Sequence, residues 1–154
     1  MPSKDEALFE AAKAGKLPEV ERLLADGASA DAKSQYGRPA LVIAAGNGHL
    51  DVVRALVRAG AKLEATTDYG ITALMVAAAC DKPDCVEALL GEGAEVHAAD
   101  KYGWTALHMA ARLGHLECVR LLVGAGADAA KQNKAGQTAL EVARAKHSAA
   151  VQSW

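Results

Sequence analysis

A single period organises the whole chain. Gly37, Gly70, Gly103 and Gly136 follow one another at steps of 33 residues, and Gly27, Gly60, Gly93 and Gly126 keep the same step. So do Leu8, Leu41, Leu74, Leu107 and Leu140, and Ala11, Ala44, Ala77, Ala110 and Ala143. Val20, Val53, Val86 and Val119 repeat it again, each with a leucine three residues on. A fixed period of this length belongs to stacked supersecondary units, none of which can bury its apolar face alone. The 154 residues then divide into four units, about 1–33, 34–66, 67–99 and 100–132, and a shortened fifth, 133–154, in one domain.

Within each unit the residue types predict the local structure. The glycines at 37, 70, 103 and 136 suit a tight turn that needs a positive φ. Thr72, Thr105 and Thr138 come two residues later, where a hydroxyl can cap a helix. Pro39 takes that slot in the second unit and is tolerated at a helix start. Leu107, Ala110 and Ala111 then fall at i, i+3, i+4, the buried face of a first helix. Gly15, Gly48 and Gly114 end that helix in a left-handed turn. Val119, Leu122 and Val123 make the buried face of a second helix, closed by Gly126. Composition agrees: 36 alanines against three tyrosines, two tryptophans and one phenylalanine favour closely packed helices over a β-sandwich or barrel.

The period and these residues resemble the ankyrin repeat. The closest copy of its T-P-L-H-x-A signature is Thr105-Ala106-Leu107-His108-Met109-Ala110, followed by Gly114-His115 and then Gly126-Ala127-Asp128. The resemblance implies an all-α solenoid of helix-turn-helix units, ten helices in all, with projecting β-turns. Departures are specific. The signature proline is Ala40, Ala73, Ala106 or Ala139, and only His108 fills the histidine slot. The third unit has Asp81-Lys82-Pro83 where others carry Gly48-His49 or Gly114-His115. Asp81 must then assume the glycine's left-handed backbone at some cost, and Pro83 begins the second helix. Lys4 in place of a turn glycine marks an N-terminal cap, and the short last unit ending at Trp154 a C-terminal one.

Several functions are set aside. No apolar run approaches membrane-spanning length, and the acidic start carries no apolar leader segment. Three cysteines, Cys80, Cys85 and Cys118, suit a reducing compartment, so a cytoplasmic location is expected, with the nucleus left open. Cys85 and Cys118 share one repeat slot and read as packing thiols; Cys80 ends a first helix, exposed. Cys80-x4-Cys85 lacks a zinc spacing, so no metal or cofactor is expected. His49 and His115 share a slot that stabilises the turn between helices, and His108 bonds locally near Thr105. Neither a phosphate-binding loop nor a nucleophile–base pair occurs, so no enzyme is expected.

One pattern exceeds what the fold needs. In the family that this chain resembles, partners meet the turn tips and the exposed ends of the first helices, a concave face. Carried over, this implicates Lys33, Gln35, Tyr36, Arg38 and Asn47 in the second unit. Asp68, Tyr69, Ile71 and Cys80 follow in the third, and Lys101, Tyr102, Trp104, Arg112 and Leu113 in the fourth. A row of surface aromatics is what interfaces enrich. Lys13, Lys33, Arg38, Lys101, Arg112 and Lys134 stand there against Asp68, while acids predominate on the second-helix side, although the whole chain is only −2. The expectation is a monomeric adaptor whose concave face binds a partner protein with an acidic surface. The alternatives are a nucleic-acid-binding protein and a ligand or redox sensor using Cys80.

Overall fold

Short helices in two layers build the structure, a computed structural model that describes residues 2–146. The first layer is α1 (Lys4–Ala14), α3 (Ala40–Gly46), α5 (Ala73–Ala79), α7 (Ala106–Leu113) and α9 (Ala139–Ala145), each packed on the next. The second is α2 (Leu17–Ala25), α4 (Leu50–Arg58), α6 (Pro83–Gly91) and α8 (Leu116–Gly124), each packed on its preceding first-layer helix and on its neighbours. Among the described residues there are thus nine helices; the expected tenth, with His147 and Trp154, lies outside them.

Helices of seven to eleven residues are marginal alone, so contact between units must supply their stability. Ala44, Ala45, Ala77, Ala78, Ala110 and Ala111 are fully buried, which lets first-layer backbones approach closely. Leu8, Leu41, Leu74 and Leu107 are at most 2% exposed, each contributing about 1.5–3 kcal/mol of burial. The caps form as the sequence predicts: Thr72, Thr105 and Thr138 accept through Oγ1 from the N–H groups of Met75, His108 and Glu141, each at 3.3 Å. Pro39 precedes α3 without a side-chain cap, and Pro83 opens α6. Asp81 does take the left-handed backbone, at φ +56°, among the described residues the one non-glycine to do so.

The turn tips share one construction. Ser34, Thr67, Asp100 and Asn133 occupy equivalent positions, and each turn closes with a backbone bond of 2.9–3.1 Å, as from Asp100 N–H to Trp104 O. In each, the side-chain oxygen also accepts from the N–H groups two and four residues on. For Asp100 Oδ1 those donors are Tyr102 at 2.8 Å and Trp104 at 3.0 Å. Adjacent tips are then joined by Lys101 N–H donating to Tyr69 O at 2.9 Å and Lys134 N–H to Tyr102 O at 3.0 Å. Tyr36 and Asp68 make no such bond; the Asp68 carboxylate lies against Gly37 instead.

Candidate partner-binding face

Three of the four tips present a tyrosine whose backbone is held by the acceptor two residues before it, and the last has Ala135 there. Tyr36, Tyr69 and Tyr102 are 73%, 59% and 56% exposed, so the rings do not bury themselves tip against tip. With each tip numbered by its unit, Lys101 Nζ sits 5.5 Å from the Tyr69 ring centre, a cation–π contact linking the third and fourth tips.

Trp104 is half-buried. The Arg112 guanidinium lies 5.9 Å from its ring centre on one side, and the His108 ring is 5.8 Å away. Tyr102, Trp104, Arg112 and Leu113 line one open groove of about 320 Å³ with Ala79, Asp100 and Met109. A larger groove of about 940 Å³ brings Lys33, Gln35, Tyr36 and Arg38 opposite α1 and Lys13. This one is of mixed sign. Asp5, Glu6 and Glu10 of α1 line it opposite the tip cations, and Asp100 lines the smaller groove. Helix packing thus adds α1 carboxylates to the six cations and Asp68 that the sequence places on this face.

The remaining candidates lie outside both grooves. Asn47 Nδ2 donates to Lys13 O at 3.0 Å, a tie between the first and second units. Ile71 is half-buried and packs against the core. Asp68 is exposed beside Gly37, and Cys80 is exposed at the end of α5. Cys85 and Cys118 are buried, and burial raises both thiols, that of Cys118 to about 11 with help from the Asp81 carboxylate. Buried thiols of this kind are poor nucleophiles.

Three histidines tie unit to unit. His108 Nδ1 accepts from Thr105 N–H at 3.2 Å, so Nε2 carries the proton and donates to Gln137 O at 2.9 Å. The local bond was legible in the sequence; the reach into the next unit was not. His49 Nε2 donates to Lys13 O and His115 Nδ1 to Ala78 O, both at 3.1 Å, so each braces the unit before its own. The slot of Ser34, Thr67, Asp100 and Asn133 also went unread, although four polar acceptors three residues before four turn glycines were signal enough.

Stacked helix pairs, capping threonines and projecting turns meet one further finding. A family model of ankyrin repeats (3 copies) matches residues 8–100 and 83–153. The chain belongs to the ankyrin-repeat family. Ankyrin repeats are generally protein–protein interaction modules and typically non-enzymatic. No curated protein matches this ankyrin-repeat chain. Among its described residues no helix is long and apolar enough to cross a membrane.

Proposed function

We propose that this ankyrin-repeat chain is a non-enzymatic adaptor, a single domain over residues 1–154 that binds one partner protein on its tips and first-layer helix ends. The observation that carries this reading is the row of Tyr36, Tyr69 and Tyr102, each more than half exposed and each held by a hydrogen-bonded turn. Rigid aromatics give contact area at small entropic cost, which suits anchors. The Trp104 groove extends the same surface. Cations at Lys33, Arg38, Lys101 and Arg112 favour acidic groups on the partner, received most readily away from the α1 carboxylates. Three unpaired cysteines accord with a monomer working in the cytoplasm.

A photo-crosslinking residue at position 36 or 102, compared with one at Arg58 on the second layer, tests it. Crosslinks to one protein from the tips and none from position 58 are expected. Tyr102→Ala should then weaken that complex about 30-fold while the array melts as before. Equal crosslinking from both layers, or a gel shift with nucleic acid that steepens as salt falls, refutes the reading.

A further inference from the structure

We infer that the groove under the fourth tip is an anchor pocket for a bulky apolar side chain flanked by acidic residues in an extended segment of the partner. This inference rests on the adaptor reading and says which partner chemistry the C-terminal half of the face selects. The groove walls are the Trp104 indole, the Tyr102 phenol, Met109 and Leu113. Leu113 is 47% exposed, so a large apolar side chain stands in water at the mouth of an apolar trough. A volume of about 320 Å³ fits one large side chain rather than a folded surface.

The charge around the trough selects its flanks. Arg112 lies over the indole, Lys134 is exposed on the tip whose backbone N–H donates to Tyr102 O, and Lys101 holds its Nζ over the Tyr69 ring of the neighbouring tip. Among the described residues neither Lys101 nor Lys134 forms an ion pair. The single carboxylate of the lining, Asp100, turns Oδ1 to the Tyr102 and Trp104 N–H groups, so part of its charge is spent on the turn. The larger groove offers no such preference, because Asp5, Glu6 and Glu10 line it together with Lys33 and Arg38. An acidic flank is therefore drawn to the fourth tip and repelled by α1.

The test pans a randomised peptide library against the immobilised full chain and synthesises the enriched consensus as a labelled peptide. The expected consensus is one bulky apolar residue with Asp or Glu beside it. Its affinity should fall about 30-fold on Trp104→Ala and on Leu113→Glu, and fall again as salt rises. Leu113→Glu keeps the test open should Trp104→Ala unfold the chain, since residue 113 is at a surface helix end. Enriched peptides with basic flanks or no apolar residue overturn the inference, as does no enrichment over blank support. Peptides that are lost on Tyr36→Ala but bind normally to Leu113→Glu also overturn it, while leaving the adaptor reading in place. That broader reading falls only with the crosslinking experiment.

Discussion

The imidazole of His108 joins two units, with Nδ1 accepting from Thr105 N–H at 3.2 Å and Nε2 donating to Gln137 O at 2.9 Å. The ring is 1% exposed, so both groups it satisfies would lose their partner without water to replace it. Met75 holds the same slot in the third unit. His108→Met should therefore keep the volume yet cost about 2 kcal/mol of stability. Urea unfolding measures the loss, and amide exchange should quicken most at residues 137–146. A loss spread evenly over the chain would show that the bond to Gln137 is not what fastens the last unit.

Asp81 is held at φ +56°, where glycine is at ease and other residues are strained. Its carboxylate accepts from Cys118 Sγ at 3.8 Å, a weak contact that does not offset the strain. Asp81→Gly should raise stability by about 0.5–1 kcal/mol. It should also slow amide exchange over residues 79–93, which in the parent chain should exceed that over 112–126. A less stable variant would show that the Asp81–Cys118 contact outweighs the backbone.

Not every glycine is required. A methyl group added to Gly91 or Gly124 would meet nothing within 4 Å, and both close second-layer helices without a positive φ. Replacing either by alanine should add about 0.5 kcal/mol, and the two gains should sum. Gly15 is the opposite case. It stands at φ +75°, and a Cβ there would lie 2.6 Å from the His49 ring. Gly15→Ala should cost about 2–4 kcal/mol. Thermal unfolding of the three variants decides the order.

The cysteines should separate by reactivity. At neutral pH a thiol reagent should modify Cys80 quickly and Cys85 and Cys118 only once the chain unfolds. Burial and Asp81 raise Cys118 from its ordinary 9.0 to about 11 in the folded chain. Below pH 9 the thiol is neutral in both states, so its contribution to stability is complete there. As pH climbs from 9 towards 11 the unfolded chain ionises first, and that contribution is lost. Cys118→Ala should lessen the fall in stability over this window; an unchanged fall would place its cause elsewhere.

The repeat, its helix pairs, the capping threonines and the left-handed Asp81 were all legible in the sequence. Each depends on residues a few positions apart, or on one slot read at a fixed step, so spacing and residue type suffice. The tyrosine row was legible for the same reason, as one slot before each turn glycine. What spacing cannot carry is contact between side chains in different units. The bonds from His49 to Lys13 and from His108 to Gln137 span 36 and 29 residues, and no local pattern in either segment names its partner. Charge follows the same rule. The cations of the second tip were visible along the chain, but the α1 carboxylates meet them only once stacking closes the N-terminal groove. Trp104 shows the division within one residue. Its place on a tip followed from the period, whereas its burial beneath Arg112 and its share in a groove with Met109 and Leu113 were decided by how α7 turns its end toward that tip.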